Sequence, residues 1–235
     1  MGVCIITGAS SGIGRETARQ VILSGLYEKV VLIARNEDGL VETLRGACSN
    51  KKVDVVLRPF DLLNLNEIPE LIENIVSEYG TISALINVSG YTEPASLFDT
   101  TLDNIQKTFS LNVFSVCLMI RETSKFMKVA GGKIVNVAST AGSSARPGWL
   151  TYAASKAAVI SISKTLSAEL AEYGIKVFCV SPGRCATPLR KILAPDEDQS
   201  RIMQPESVAS VILTLLSSNV DVLDGQDIVV RKYVG

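Results

Sequence analysis

The stretch Val3–Gly14, which reads VCIITGASSGIG, decides the fold, because a strand-like run leads straight into a turn with three glycines. Glycines let a backbone turn tightly and approach a phosphate group without interference from a Cβ atom. The helix predicted over Gly12–Ser24 would present free N–H groups and the positive end of its dipole to the same place. Such a turn between a first strand and a first helix indicates a dinucleotide site, although the spacing is G-x-x-x-G-x-G instead of G-x-G-x-x-G. The turn residues that we expect at the cofactor are Gly8, Ser10, Ser11, Gly12, Ile13 and Gly14.

Outward from that turn, apolar runs alternate with segments of helical spacing. The runs are rich in β-branched residues and lack strict alternation, so they predict strands buried on both faces of a parallel sheet. These strands are predicted over Val3–Thr7, Lys29–Ala34, Val53–Phe60, Ile82–Val88, Lys133–Ala138, Ile175–Val180 and Asp227–Val230. Helical spacing covers Gly12–Ser24, Ile68–Tyr79, Leu102–Met127, Tyr152–Tyr173 and Pro205–Ser217. The alternation predicts an α/β fold, a Rossmann-type doubly wound parallel sheet of about seven strands with helices on both faces.

We expect residues 1–235 to form a single domain, since no repeat, low-complexity segment or linker interrupts the pattern. The most irregular stretch is 188–204, which carries Pro188, Pro195 and an acidic cluster at 196–198. A short substrate lid and a plain surface loop are equally good interpretations of it.

The composition excludes several classes of function. Of the 235 residues, 47% are hydrophobic, the net charge is −1 and none is histidine. These values exclude a disordered chain, leave no overall basic field for nucleic acid or an anionic membrane, and rule out imidazole catalysis and histidine-bound metals. The scattered cysteines, without a C-x-x-C pair, argue against a disulfide framework or a zinc site and fit a reducing compartment; they are Cys4, Cys48, Cys117, Cys179 and Cys185. With no apolar run of about 20 residues and no charged leader, we expect a cytoplasmic protein without a membrane, nucleic-acid or metal partner.

The end of the second predicted strand bears on the choice of cofactor. An NAD site has an acidic side chain there for the ribose 2′-hydroxyl, about 20 residues after the glycine turn. Here the chain reads Ala34-Arg35-Asn36, and the planar guanidinium of Arg35 is suited to a 2′-phosphate. This favours NADP(H) over NAD(H). A solvated arginine is the alternative, because Glu37 and Asp38 follow closely.

Tyr152 and Lys156 open a predicted helix in the sequence YAASK. Their i,i+4 spacing puts both side chains on one face, where an ammonium group would lower the phenol pKa from about 10 toward the range useful for acid–base catalysis. Ser139 follows the strand Lys133–Ala138 and so belongs at the carboxyl edge of the sheet, where α/β folds bind ligands. Asn112 is an amide in an apolar stretch, which indicates either a satisfied buried hydrogen bond or a group that holds water.

Together these motifs resemble the short-chain dehydrogenase/reductase family, in its compact single-domain branch, from Thr7 to about Val230. The resemblance implies the catalytic set Asn112, Ser139, Tyr152 and Lys156. In that set Lys156 would hold the nicotinamide ribose, Asn112 would position a water, and Tyr152 would also contact the cofactor. The resemblance implies further cofactor contacts after the third, fourth and sixth strands, at Asp61, Leu62, Asn87, Ser89, Gly90, Pro182, Gly183, Cys185 and Thr187.

Two positions depart from the family pattern. The family's N-N-A-G reads Asn87-Val88-Ser89-Gly90 here, so a second asparagine with a structural hydrogen bond is replaced. The aliphatic residue expected shortly before Thr187 is Cys185, which we interpret first as a small hydrophobic residue and second as a redox-sensitive thiol.

The function that the resemblance implies is reduction of a ketone or aldehyde to an alcohol by NADPH, or the reverse reaction, with Tyr152 as general acid/base. The substrate would be a small carbonyl or alcohol compound. A carrier-bound β-ketoacyl substrate is not favoured, because Val129–Gly131 and Tyr173 stand where carrier-dependent relatives have basic residues, although Lys128 and Lys133 flank the first of these places. Two alternatives are a regulatory sensor that binds NADP(H) without turnover and an NAD-linked dehydrogenase of an alcohol, sugar or sterol.

The chain also carries signs of assembly. The segment Leu102–Met127 is apolar over more than one face, and the helix that begins at Tyr152 is rich in alanine. Helices that are apolar all round need a second partner, and in the family that this chain resembles these two helices form subunit interfaces. We therefore expect a homodimer or homotetramer. The alternative is that one apolar face covers the sheet and the rest is scattered exposed surface.

Overall fold

A single parallel sheet organises the molecule. The computed structural model describes residues 2–47, 52–217 and 220–232. Its strands are β1 (Val3–Thr7), β2 (Lys29–Ala34), β3 (Asp54–Pro59), β4 (Ile82–Asn87), β5 (Gly132–Val137), β6 (Ile175–Pro182) and β7 (Asp227–Val230). They pair side by side in the order β3-β2-β1-β4-β5-β6-β7. The order reverses between β1 and β4, and such a switch point opens a crevice at the carboxyl ends of the strands.

Helices cover both faces of the sheet. They are α1 (Gly12–Ser24), α2 (Glu37–Arg45), α3 (Ile68–Tyr79), α4 (Leu102–Phe109), α5 (Ser115–Met127), α6 (Leu150–Leu170), α7 (Pro188–Leu193) and α8 (Pro205–Ser217). One apolar core lies between the sheet and α1, α2 and α8, and a second lies on the opposite face beneath α3, α5 and α6. The predicted α/β fold with a doubly wound parallel sheet of seven strands is thus confirmed.

Successive strand residues supply the two cores in turn. In β1, Cys4 and Ile6 belong to the first core, while Val3 and Ile5 belong to the second. Side chains of a strand alternate between faces, so a strand that is covered on both sides must be apolar at every position. This burial explains why the strands read as continuous apolar runs.

The segment Leu102–Met127, predicted as one helix, is interrupted in the middle. Ser110–Phe114 forms a π turn between α4 and α5, in which the N–H of Ser115 donates to the Ser110 carbonyl five residues back. Turns of this type occur frequently at functional sites. Asn112 lies at the centre of this one.

Two short helices were not predicted. Asn36 begins α2, since its side chain accepts a hydrogen bond from the Gly39 N–H, and the acids Glu37 and Asp38 favour the positive end of the helix dipole. The second, α7, lies within the expected lid 188–204. A short 3₁₀ turn, Gln199–Arg201, follows it, and the role of this segment as a substrate lid stays a prediction.

In the three described ranges, no helix combines the length and apolar character of a membrane-spanning segment. Cys48 lies outside the described residues. The cysteines Cys4, Cys117, Cys179 and Cys185 carry free thiols.

Candidate active site

A cleft of about 1420 Å³ opens at the carboxyl ends of the strands. Its walls come from the glycine turn after β1, the ends of β2 and β3, the loop after β4, the loop between β5 and α6, and the segment from β6 through α7. The predicted site residues that line it are Gly8, Ser10, Ser11, Gly12, Ile13, Gly14, Arg35, Asp61, Leu62, Ser89, Gly90, Ser139, Tyr152, Lys156, Pro182, Gly183, Cys185 and Thr187. Two further predicted residues, Asn87 and Asn112, are buried behind this wall.

The glycine turn has no room for side chains. Gly8 has a positive φ of 68°, and a Cβ atom there would lie 2.8 Å from the backbone nitrogen of Ser89. At Gly14 a Cβ atom would lie 2.1 Å from the Gly8 carbonyl oxygen, so only glycine fits. Ser11, which precedes α1, makes no side-chain cap hydrogen bond, and the first-turn N–H groups therefore face the cleft without a side-chain acceptor from that residue. A nicotinamide dinucleotide fits this cradle, with its pyrophosphate against the helix N-terminus.

Arg35 lies at the end of β2 with its side chain 60% exposed in the cleft. Its guanidinium is 3.8 Å from the Asp61 carboxylate across the strand ends, and exposed ion pairs of this kind hold weakly. The other Asp61 oxygen accepts the Leu63 N–H at 3.0 Å. Arg35 can therefore turn to a phosphate group without breaking a buried interaction.

Tyr152 lies in the first turn of α6 and is 7% exposed. Its ring meets the Trp149 ring edge-on, with the centroids 6.4 Å apart. Burial raises the pKa of the phenol, while a hydrogen bond with Ser139 and the charge of Arg190 oppose that rise. The phenol is thus a neutral proton donor in the cofactor-free protein.

Lys156 lies one helical turn further on and is 4% exposed. Its Nζ donates to the Val137 carbonyl at 2.9 Å and lies 5.9 Å from the centre of the Tyr152 ring. Burial lowers the pKa of this amine to about 8. The expectation that Lys156 lowers the phenol pKa is wrong for the cofactor-free protein, because the ammonium is turned to Val137 and burial dominates at Tyr152.

Ser139 follows β5 directly and caps the 3₁₀ turn Thr140–Ser143. Its Oγ accepts the Ala141 N–H at 3.1 Å, and its interaction with the Tyr152 hydroxyl lowers the pKa of the phenol. The two hydroxyl groups therefore meet at the same point of the cleft wall, where a carbonyl oxygen could contact both.

The side chain of Asn112 is fully buried and engaged within the protein. Its Oδ1 accepts the Tyr91 N–H at 2.8 Å, and its Nδ2 donates to the Tyr91 carbonyl and to Ser155 Oγ, both at 2.9 Å. Of the two interpretations offered for this residue, the satisfied buried hydrogen bond describes the side chain. The amide ties the loop after β4 to α6, directly behind Tyr152. The water-holding role stays a prediction.

The loop after β4 is fixed to the glycine turn. Thr7 Oγ1 accepts the N–H groups of Val88 and Ser89 at 3.1 and 3.3 Å, so the replaced second asparagine of this motif leaves the backbone connection intact. Asn87 is turned away from the cleft, because its Nδ2 donates to Asn136 Oδ1 at 2.9 Å inside the sheet. Its side chain is thus placed to hold β4 to β5.

The segment after β6 closes the cleft from the other side. Thr187 caps α7 by accepting the Arg190 N–H at 3.1 Å. Cys185 is 4% exposed and packs in the first core, and burial raises the pKa of its thiol to about 12. A protonated, buried thiol acts as a small hydrophobic group, which was our first interpretation of this residue.

One cluster over the cleft was missed at the level of sequence. Glu197 accepts two hydrogen bonds from Arg190, at 2.6 and 2.9 Å, and a third from Arg184 at 3.3 Å. The Arg190 guanidinium lies 5.5 Å from the centre of the Trp149 ring, whose edge meets Tyr152. Arg190, Trp149 and Tyr152 thus form a continuous row of contacts from α7 to the phenol. The acidic cluster at 196–198 was visible in the sequence, but nothing local identifies its partners.

No group of three or more histidine, cysteine, aspartate or glutamate side chains suited to a metal ion occurs within the described parts of the chain.

A Rossmann-type sheet with a phosphate-binding glycine turn at its switch point, and a tyrosine, a serine and a lysine at the same edge, defines a nicotinamide-dependent oxidoreductase. The sequence profile of the family described as short chain dehydrogenase matches residues 2–198. The chain therefore belongs to the short-chain dehydrogenase/reductase family.

Curated relatives span nearly the whole chain. The 3-oxoacyl-[acyl-carrier-protein] reductase FabG of Thermotoga maritima is 36% identical over 236 residues, which cover 95% of this chain and 94% of that protein. The 7alpha-hydroxysteroid dehydrogenase of Bacteroides fragilis is 31% identical over 241 residues, covering 97% and 92%.

Solved structures share the architecture. Actinorhodin polyketide ketoreductase with NADPH aligns with a TM-score of 0.88 and 27% identity over 97% of this chain and 95% of that chain. Levodione reductase aligns with a TM-score of 0.89 at 23% identity over 98% and 96%, a likeness that concerns the fold alone.

Proposed function

We propose that this protein reduces a ketone or aldehyde to an alcohol with NADPH, or catalyses the reverse reaction, with Tyr152 as the general acid/base. The observation that carries the proposal is the buried phenol, protonated and beside the Ser139 hydroxyl, in the cleft that the glycine turn opens into. The bound cofactor supplies the hydride. The side chains of the protein supply the proton and the hydrogen bonds to the reacting oxygen.

In the direction of reduction, Tyr152 donates its proton to the carbonyl oxygen as negative charge develops there. Ser139 donates a second hydrogen bond to the same oxygen, and fixed donors of this kind stabilise the transition state without reorganising. Lys156, with its pKa near 8, is a group that can return a proton toward the phenolate and hold the nicotinamide ribose. Asn112 keeps the loop after β4 in register with α6 and is proposed to position the relay water.

The first test is a Tyr152→Phe variant. We expect turnover to fall by about 10²- to 10⁴-fold, the usual contribution of a general acid, while cofactor affinity is retained. Steady-state rates with a panel of β-ketoacyl thioesters, diketones, quinones, keto-sugars and steroids measure the first quantity, and quenching of Trp149 fluorescence by cofactor measures the second. Full activity in the variant would overturn the assignment.

NADP(H) is proposed over NAD(H) because Arg35 occupies the end of β2 and is free to turn to a 2′-phosphate. The actinorhodin polyketide ketoreductase structure, 27% identical to this chain, contains NADPH, which also supports this choice.

An Arg35→Ser variant tests the cofactor choice. We expect the preference for NADPH over NADH to fall by about tenfold or more, since hydrogen bonds to charged groups contribute about 1.5–3 kcal/mol. Arg45→Ser, an exposed arginine at the end of α2, is the matched control and should leave the preference unchanged. An unaltered preference in Arg35→Ser would overturn the role of Arg35, whereas a wild type that prefers NADH would favour the NAD-linked alternative.

β-Ketoacyl compounds head the substrate panel, because several curated relatives carry ketoacyl reductase names. Carrier-bound forms gain no support from the two lysines near the expected carrier contacts. Lys128 lies over the Tyr173 ring at 4.9 Å, and Lys133 donates to the last carbonyls of α8. Binding of NADPH without turnover of any panel member would instead favour the sensor alternative.

A cytoplasmic location and a homodimer or homotetramer complete the proposal. Free thiols at the described cysteines agree with a reducing compartment. Apolar side chains exposed on α4 and at the start of α6 support assembly through these helices.

A further inference from the structure

The charged side chains of the cleft are almost all cationic. Among the described lining residues Asp61 is the one carboxylate, and it lies beside Arg35 at the ends of β2 and β3. Elsewhere the charged residues of the wall are Arg146, Lys156, Arg184, Arg190, Arg231 and Lys232. The whole chain has a net charge of −1, so the positive charge is a local feature of this wall.

Three of these arginines surround the catalytic wall, and they differ in how far the protein already satisfies them. Arg190 is 15% exposed and gives two hydrogen bonds to Glu197, so this pair is neutral as a unit. Arg184 is 55% exposed and reaches the same carboxylate through a single 3.3 Å contact. Arg146 is exposed, and its guanidinium has no ion pair or hydrogen bond within the described ranges.

The backbones of Arg146 and Arg184 are fixed although their side chains are exposed. The Arg146 carbonyl accepts the Trp149 N–H at 3.0 Å, in the turn that leads into α6 and Tyr152. The Arg184 carbonyl accepts the Met203 N–H at 3.2 Å on the segment after β6. Two arginines whose guanidinium groups keep unused donors thus line the cleft from two different loops.

The phosphates of the cofactor do not account for these groups. The glycine turn and the N-terminus of α1 face the pyrophosphate, and Arg35 lies at the end of β2. Arg146 and Arg184 belong to the loops around Tyr152 and the lid. Arg184 stands between Gly183 and Cys185, which are expected at the cofactor, so with Arg146 it lies at the Tyr152 end of the cleft, where the cofactor and the substrate meet.

We propose that the preferred carbonyl substrate carries an anionic group, a carboxylate or a phosphate, and that Arg146 and Arg184 bind it while the carbonyl oxygen contacts Tyr152 and Ser139. The inference rests on the proposed reductase function and names the substrate class of that site. Guanidinium groups suit both anions, because their paired N–H donors match two oxygen atoms at once.

Two matched pairs of compounds separate charge from the reacting group. Acetoacetate is compared with methyl acetoacetate, and acetoacetyl-phosphopantetheine with the uncharged acetoacetyl-N-acetylcysteamine. For each pair the ratio of kcat/KM, anionic over neutral, is measured in the wild type and in Arg146→Met and Arg184→Met. In the pair that carries the preferred anion we expect this ratio to fall about tenfold in each variant, as removal of a charged hydrogen bond predicts. Arg45→Met, outside the cleft, is the matched control.

The responding pair tells whether the anion is a carboxylate or a phosphate. Ratios that are the same in all four proteins, with turnover intact, would overturn the anionic substrate and leave the reductase function standing.

A binding measurement tests the preference for an anionic compound even if no compound of the panel is turned over. The Tyr152→Phe protein loaded with NADP⁺ is titrated calorimetrically with 3-hydroxybutyrate and with its methyl ester. A preference for the acid that disappears in the additional Arg184→Met change supports anion binding, and equal affinities overturn it for carboxylates. Failure of every carbonyl compound to react would overturn the reductase function separately.

Discussion

At the scale of single residues, burial moves the pKa values of Tyr152 and Lys156 in opposite directions. It raises that of the phenol and lowers that of the amine to about 8, because it penalises whichever form is charged. Near neutral pH the phenol is therefore protonated, while the amine lies close to its own pKa. A proton donor backed by a group that can gain or lose a proton is the arrangement that repeated reduction cycles need.

The lowered pKa of Lys156 predicts a pH-dependent stability. Above pH 8 the folded lysine has lost most of its proton, whereas the unfolded lysine keeps its proton to about 10.4. The unfolded state thus binds more protons in this window, and the lysine's contribution to the free energy of unfolding rises with pH by at most about 1.4 kcal/mol per unit.

Urea denaturation of the wild type and Lys156→Met from pH 8 to 9.5 measures this effect. The free energy of unfolding of the wild type minus that of the variant should increase as the pH rises through this range. Taking the difference removes Cys4 and Cys185, whose raised pKa values act with the opposite sign in both proteins. Parallel curves would contradict the prediction.

At the scale of the elements, the strands were predictable and the finer turns were not. Burial on both faces leaves a continuous apolar run in each inner strand, so sequence alone located β1, β2 and β4 closely. The short helix α2 buries only part of one face, so its apolar pattern is weak. Asn112 in the π turn at Ser110–Phe114 contacts Tyr91 and Ser155, which are distant in the chain, so no local sequence pattern announces this arrangement.

The candidate site also has features that the sequence could predict and features that it could not. The glycine turn, Ser139, Tyr152 and Lys156 could be predicted to share one edge, because strand ends and an i,i+4 spacing fix their positions. The direction of the Tyr152 pKa could not, since it depends on how deeply the ring is buried. The contact of Arg190 with Trp149 also needed the folded lid.

The hydrogen bond from Asn112 to Ser155 predicts an energetic coupling between these two residues. Asn112→Ala leaves the Tyr91 N–H and carbonyl without their side-chain partner, and we expect it to lower the free energy of unfolding by about 1–3 kcal/mol. Ser155→Ala removes one shared hydrogen bond, so the double variant should lose less than the sum of the single variants. Urea denaturation of the four proteins tests this, and strict additivity would show that the contact has no energetic role.

At the scale of the whole molecule, one surface is more apolar than a monomer needs. Leu102 and Ile105 on α4, Phe114 in the π turn and Leu150 at the start of α6 are 68%, 39%, 50% and 49% exposed. Met119, by contrast, is fully buried in the second core, so α5 uses part of its apolar character on the sheet. The four exposed residues named above lie on or next to the two segments expected at a subunit interface.

A charge in this surface should weaken assembly. Phe114→Glu would place a carboxylate among apolar side chains, so we expect the molar mass in light scattering to shift from dimer or tetramer toward the 25.2 kDa monomer. Leu23→Glu, a similarly exposed site on α1, is the control and should leave the mass unchanged. A wild-type protein that is monomeric at micromolar concentration would refute the expectation of an oligomer.

The strand order also determines when the neighbours of each strand become available for pairing during synthesis. β1 pairs with β2 on one side and with β4 on the other, yet β4 begins at Ile82, long after β1 ends at Thr7. At about 5–20 residues per second, the ribosome needs about 4–15 s to deliver this second neighbour. During that interval one edge of β1, an inner strand of the sheet, lacks its native partner, and exposed strand edges invite association with other chains. The nascent chain is therefore open to association with other chains before Ser139, Tyr152 and Lys156 have been synthesised.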